Sequence, residues 1–196
     1  MRPLPFAWPY SAVFWAVFFW AFGIESMYMR RALGSGGTRS RQDAGSTWTV
    51  VIVNYIGMFF AVLAAFRVPS AMLPNRVVCF WLGILVLIAG SLLRRHCFRM
   101  LGQYFTYDVR VREEQPVIER GAYRWIRHPS YTAGVLMFVG IGLAFGNWIS
   151  LLFMTVTVIA GYAYRVRIEE RALVASMGDR YRDYMRRTRR FIPFVI

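Results

Sequence analysis

Residues 131–164 read YTAGVLMFVGIGLAFGNWISLLFMTVTVIAGYAY, two uncharged apolar runs, Tyr131 to Phe145 and Trp148 to Tyr164, separated only by Gly146 and Asn147. So short a connection forces two helices to fold back antiparallel. The flanking polar chain on either side of the pair is therefore predicted to meet at one level. Each run is short for a full span, because a helix rises about 1.5 Å per residue and about 20 residues cross the ~30 Å hydrocarbon layer.

Upstream lie three further apolar stretches: Tyr10 to Met29, followed by Arg30 and Arg31; Trp48 to Phe66; and Val77 to Leu93, stopped by Arg94 and Arg95. The 196 residues are 57% hydrophobic and 17% charged, whereas a soluble domain carries about 25% charged residues. That composition excludes a disordered chain and a soluble nucleic-acid-binding protein. The predicted fold is all-α, a polytopic membrane helix bundle with about five transmembrane helices. Residues 1–93 hold three N-terminal spans, and residues 94–196 hold the helical hairpin 131–164 and an amphipathic C-terminal tail. No small-residue cleavage site follows the first run, which is read as a retained span.

The net charge is +14, from 24 basic against 10 acidic residues, and every basic residue is arginine. Counted by loop there is one Arg before the first span, four from Arg30 to Arg41, two at Arg67 and Arg76, eight from Arg94 to Arg127, none in the hairpin turn and nine from Arg165 to Arg190. Rich and poor loops alternate, so five crossings place the N-terminus outside and the C-terminus in the cytoplasm. The stretch GSGGTRSRQDAGS, residues 34–46, is polar and glycine-rich and reads as a loop. Two cysteines, Cys79 and Cys97, give neither a disulfide framework nor a zinc-ligand spacing, and no metal is expected.

Two polar clusters flank the hairpin. The first is GAYRWIRHPSY, Gly121 to Tyr131. Pro129 disfavours helix at His128 and suits the first helical position, which presents Arg127, His128 and Tyr131 at a helix start able to receive an anionic group. The plainer reading makes Arg127 and His128 boundary markers and Tyr131 part of an interfacial aromatic belt. The second cluster is YRVRIEER, Tyr164 to Arg171, in which Arg165 and Glu169 share a helix face and Glu170 points elsewhere. A surface salt bridge would explain that spacing equally well, but the hairpin brings the two clusters together as one candidate pocket. Glu25, late in the first span, has Arg30 or Arg31 as near partners, and Asn54 and Ser91 read as helix-packing residues. No G-x-G-x-x-G, P-loop or G-x-S-x-G occurs, which removes a Rossmann domain and a serine hydrolase.

In these residues the chain resembles the isoprenylcysteine carboxyl methyltransferase family. The C-terminal region of that family reads G-x-Y-x-W-x-R-H-P-S-Y, a helical hairpin, R-x-x-x-E-E, G-x-x-Y-x-x-Y and a closing L-P-F. The corresponding text is GAYRWIRHPSY, Arg165 with Glu169 and Glu170, GDRYRDY from Gly178 to Tyr184, and FIPF from Phe191 to Phe194. The first three spans show no matching motif. The resemblance implies an integral membrane S-adenosyl-L-methionine-dependent carboxyl O-methyltransferase acting on a lipidic or isoprenylcysteine-like substrate that enters past residues 1–93. It implies cofactor contacts from Gln115, Pro116, Val117, Ile118, Tyr123, His128, Pro129, Ser130, Tyr131 and Glu169, with Arg165 on the substrate carboxylate as the catalytic residue. The compact length points to a bacterial or archaeal plasma membrane, with the site on the cytoplasmic side.

That chemistry suits the residues. A carboxylate ionises near pH 4 and is already a nucleophile at neutral pH, so alignment matters more than a general base. Two other enzymatic readings stay open. Phospholipid or other amine N-methylation would need a nearby carboxylate such as Glu170 or Asp108 to take a proton. An NADPH-dependent membrane reductase would need phosphate-binding arginines, for which Arg120, Arg124 and Arg127 are available. A non-enzymatic membrane scaffold would leave every polar residue named here as a boundary anchor.

Overall fold

The computed structural model describes residues 2–34, 45–104 and 116–191. Among the described residues the regular structure is helical: α1 (Tyr10–Gly34), α2 (Ser46–Arg67), α3 (Arg76–Leu101), α4 (Pro129–Ala144), α5 (Trp148–Met177) and α6 (Asp179–Arg187), with short 3-10 turns between some of them. Four helices are long and apolar enough to cross a membrane, namely α1, α2, α3 and α5, and α4 is a shorter apolar helix of 16 residues. Large apolar side chains such as Phe59, Leu85, Leu152 and Val156 are exposed on the outside of the bundle. An apolar rind of this kind belongs in lipid, and the protein is a multi-pass integral membrane protein.

The hairpin forms with wider bounds than the apolar runs suggest. Its first helix starts at Pro129, which needs no amide partner as the first helical residue. Its second does not stop at Tyr164 and is not short. It runs 30 residues from Trp148 to Met177, because no glycine or proline follows Tyr164 before Gly178, whose φ of +56° ends the helix. The third apolar run likewise continues past Leu93 to Leu101. The charge of Arg94 is matched inside the bundle, so it does not terminate the helix. At the turn, Gly146 takes φ +65° and Asn147 caps α5 by accepting from the amides of Ile149 and Ser150 at 3.0 and 3.1 Å. The Asn147 amide donates to Val68 O at 2.9 Å, and Leu73 N donates to Gly146 O at 2.9 Å. These bonds stitch the α2–α3 corner to the hairpin turn at one end of the bundle.

Helix α3 lies against α4, α4 against α5, α5 against α2, and α1 against α3. The α3–α4 seam is backbone on backbone: a Cβ on Gly83 would sit 2.5 Å from Gly140 O and 2.5 Å from Ala144 N. Small residues at such crossings replace the hydrophobic drive that lipid cannot supply. Phe14, Phe80, Leu87, Met137, Ile141 and Met154 fill the remaining core. The last turns of α3, with Arg94, Arg95 and Arg99, the described residues before α4 and the charged part of α5 all lie at the end opposite the hairpin turn. Gly83→Val is expected to destabilise the bundle by about 1–3 kcal/mol through forced separation of α3 and α4. Gly23→Ala, whose Cβ would meet nothing within 4 Å, should melt like the parent in detergent. Equal melting temperatures for the two variants would contradict this seam.

Candidate active site

The first polar cluster is held in place by the chain's own tail. Gly121, at φ +60°, opens the turn Gly121–Arg124 and buries Tyr123. The backbone of 125–128 then runs alongside the tail after α6: Arg189 N donates to Trp125 O at 3.1 Å, Arg127 N to Arg189 O at 2.7 Å and His128 N to Arg190 O at 3.1 Å. Three side-chain contacts reinforce the ladder. Tyr184 donates its phenol to Tyr123 O at 2.6 Å, Thr132 donates to Phe191 O at 2.8 Å, and Arg187 forks onto Glu119 at 2.9 and 3.1 Å. Burial holds the phenols of Tyr184 and Tyr123 above the ordinary tyrosine range. The charge of Glu119 raises Tyr184 further, and a hydrogen bond with Ser130 partly offsets the rise at Tyr123. Both therefore remain donors at neutral pH.

The two adjacent glutamates of α5 divide their work because successive residues point about 100° apart on a helix. Glu170 is buried and receives Arg127 Nε at 2.9 Å, Arg190 Nη2 at 2.8 Å and His128 Nε2 at 3.3 Å. Arg127 also donates to the carbonyls of Met185 and Thr188. One carboxylate thus binds loop and tail to α5. Glu169 faces the other way with its side chain 30% exposed; it accepts from the Tyr131 phenol at 2.7 Å and lies 3.9 Å from His128 Nδ1.

Tyr131 is the hinge between the clusters. Its oxygen donates to Glu169 and accepts from Arg165 Nε at 2.8 Å, while its ring lies 4.8 Å from that of Tyr162 and 5.6 Å from His128. Arg165 is 7% exposed. Its Nη1 donates to Thr47 Oγ1 at 2.8 Å and Ser46 Oγ at 3.2 Å, at the start of α2. The guanidinium is therefore oriented by three hydroxyls from two neighbouring helices, α2 and α4. His128, Tyr131, Arg165 and Glu169 form one continuous polar network, with Pro129 buried beneath it and Ser130 beside Tyr123. Pro116, Val117 and Ile118 are half-buried on the irregular chain leading to Gly121. Gln115, Asp108 and the end of the FIPF stretch lie outside the described residues.

Two further contributors were not read from the sequence. Ser46 and Thr47 open α2 at the end of the polar stretch 34–46, of which 35–44 lie outside the described residues, and nothing local in the sequence marks them as partners of Arg165. Arg94 donates through Nε and Nη2 to Glu25 at 3.0 and 2.6 Å and through Nη1 to Ser130 O at 2.7 Å. Glu25 is thus paired with Arg94, while the side chains of Arg30 and Arg31 lie outside the described residues. The available signal was spacing: Leu87, Ser91, Arg94 and Phe98 recur three or four apart, continuing the face that α3 buries. The alternatives lose their residues to these contacts. Glu170 is committed to two guanidiniums and so is poorly placed as a base for an amine. Arg127 is committed to Glu170, Arg120 donates to Met100 O and Arg124 lies over Trp125, so no phosphate cradle is formed by the three.

The family model described as the isoprenylcysteine carboxyl methyltransferase (ICMT) family matches residues 81–175, which include the turn at His128–Tyr131 and Arg165 with both glutamates. Protein-S-isoprenylcysteine O-methyltransferase B of Arabidopsis thaliana is 31% identical over 115 residues, 58% of this chain and 58% of that protein. The Saccharomyces cerevisiae protein-S-isoprenylcysteine O-methyltransferase is 28% identical over 120 residues, 60% of this chain and 50% of that one. The probable protein-S-isoprenylcysteine O-methyltransferase of Oryza sativa subsp. indica is 25% identical over 162 residues, 79% and 84% of the two chains. The solved structure of the eukaryotic intramembrane Ras methyltransferase ICMT superposes with a TM-score of 0.58 at 24% identity, over 74% of this chain and 51% of that one. The chain thus spans between half and three-fifths of the length of the Arabidopsis and yeast relatives. Over residues 81–175, which carry the whole polar network apart from Ser46, Thr47 and the tail, the chain is similar to the isoprenylcysteine carboxyl methyltransferase family.

Proposed function

We propose that the protein is an S-adenosyl-L-methionine-dependent methyltransferase that O-methylates the carboxylate of a lipidic, isoprenylcysteine-like acceptor. The observation that carries this reading is the placement of Arg165 and Glu169 on either side of the Tyr131 hydroxyl, at the level where the apolar part of α5 ends. When bound, S-adenosyl-L-methionine supplies a methyl group already activated by its sulfonium.

The residues fit such a group. Glu169 is partly exposed and can take an ammonium. The start of α4 has no side-chain cap at His128, which leaves the amide of Ser130 suited to a carboxylate. Tyr123, kept protonated by burial, adds a neutral donor. Pro116, Val117 and Ile118 would border the same group. Arg165 meets the acceptor. An unpaired carboxylate in a partly dehydrated cavity costs several kcal/mol, and a planar guanidinium fixed by hydroxyls both offsets that cost and aims one oxygen. An acceptor ionised near pH 4 needs no base, and none stands at Arg165 in this reading. Residues 1–93 would form the wall along which a lipid tail enters. The positive-inside rule supports an orientation with the Arg-rich end, and with it the site, on the cytoplasmic side.

Arg165→Ala is expected to keep the thermal shift given by S-adenosyl-L-methionine while turnover falls at least about a hundredfold. Loss of the shift together with turnover would remove the acceptor role from Arg165. The rate should be flat above about pH 6, whereas an amine acceptor would make it climb steeply with pH. The two glutamates should separate cleanly. Glu170→Gln leaves Arg127 buried without its charge partner, at a cost of about 3 kcal/mol or more, and should open the tail to trypsin at Arg186–Arg190. Glu169→Gln should leave the tail protected and weaken cofactor binding about tenfold. Equal trypsin sensitivity in the two would contradict this division.

A further inference from the structure

The turn that begins α4 is braced from behind by a pair of charges that the proposed chemistry does not use. Arg94 is nearly enclosed, its side chain 11% exposed, and that of Glu25 is 23% exposed. The guanidinium spends two donors on one Glu25 oxygen and the third on Ser130 O, and it lies over the rings of Phe98 and Tyr162 at 5.1 and 5.9 Å. Tyr162 in turn packs on Tyr131 at 4.8 Å and fills the space beside Gly134. A contiguous path therefore runs from α1 through Glu25 and Arg94 to both the backbone and the ring that shape the site.

A buried ion pair placed only for stability would be replaceable by apolar side chains of similar volume, often without loss. The contact to Ser130 O is different. It fixes a backbone carbonyl in the first turn of α4, and no apolar side chain can replace that bond. Arg94 is held in its aim by Glu25, which comes from a helix outside the residues that match the family model. We propose that Glu25 and Arg94 are positioning residues: α1 sets the direction of the Arg94 guanidinium, and Arg94 sets the Pro129–Tyr131 turn against which cofactor and acceptor align. The inference rests on the methyltransferase reading for its turnover readout, but not for its structural one.

The test uses the full chain in nanodiscs and three variants: Glu25→Leu with Arg94→Met together, Arg94→Lys, and Arg94→Met alone. The double variant removes both charges and should melt at or above the parent temperature, with amide exchange at residues 131–134 about tenfold faster and kcat/KM for S-adenosyl-L-methionine about tenfold lower. Arg94→Lys keeps the charge but cannot reach Glu25 and Ser130 together, so it should fold normally and show the same two changes in smaller measure. Arg94→Met alone leaves Glu25 buried and unpaired and should melt lowest of all. Parental exchange and kcat/KM in either the double variant or Arg94→Lys would overturn the proposal. If the parent itself shows neither binding nor turnover with S-adenosyl-L-methionine, the methyltransferase reading falls, and the exchange data alone still decide whether the pair sets the turn.

Discussion

Among the described residues, Glu170 is the enclosed carboxylate that two guanidiniums must meet. A carboxylate that is almost wholly enclosed must be matched by cations or it empties several kcal/mol from the folded state, and here the match comes from two separate segments: Arg127 in the loop before α4, where His128 adds a polar contact, and Arg190 beyond α6. These groups are brought to α5 because the charge there has to be met. Once they arrive, the backbone ladder between 125–128 and 189–190 can form, and Tyr184 and Thr132 can find carbonyls on the neighbouring segment. The site is thus assembled around a residue that does not face it. Its neighbour Glu169, turned about 100° away on the helix, is left partly exposed.

Below this polar end the bundle uses a different physics. Lipid offers no reward for burying apolar surface between helices, so α3 and α4 adhere by close approach at Gly83, Gly90 and Gly140. That seam fixes α4 in translation, and the Asn147 cap with its bond to Val68 O fixes the hairpin turn against the α2–α3 corner. Tyr131 and Arg165 are therefore opposed by two independent constraints at distant ends of α4 and α5. Arg165 is also tied to α2 through Ser46 and Thr47, so both outer helices reach the centre through polar contacts: α2 through hydroxyls and α1 through the Glu25 carboxylate.

The sequence was informative where geometry is local. Gly146 and Asn147 define the hairpin without help from the rest of the chain, and the hairpin alone predicts that Tyr131 and Arg165 share a level. Pro129 announces the start of α4 by its own chemistry. The apolar run of α5 ends before the helix does because hydropathy falls at Arg165 while helix propensity does not: the chain leaves the apolar layer there but has no reason to leave the helix. The same holds for α3 after Leu93. Partner choice was illegible for another reason. Glu25 and Arg94 are 69 positions apart, and a nearer arginine always looks the better partner when only spacing is visible. That Glu170 rather than Glu169 would be enclosed depends on how α5 is rotated against the loop and tail, which no residue spacing within α5 encodes.

For the proposed reaction, the length of α5 has a consequence for how a greasy acceptor would be handled. Thirty residues of helix measure about 45 Å, some 15 Å more than the hydrocarbon layer is thick. The surplus stands among the headgroups as a post, with Arg165 near its foot and Glu169 about one turn higher. An amphiphile can keep its tail dissolved in the leaflet and raise only its acidic end to that foot. A water-borne reagent can come down the post from the aqueous side to the same spot. Neither has to enter the other's solvent before the two meet.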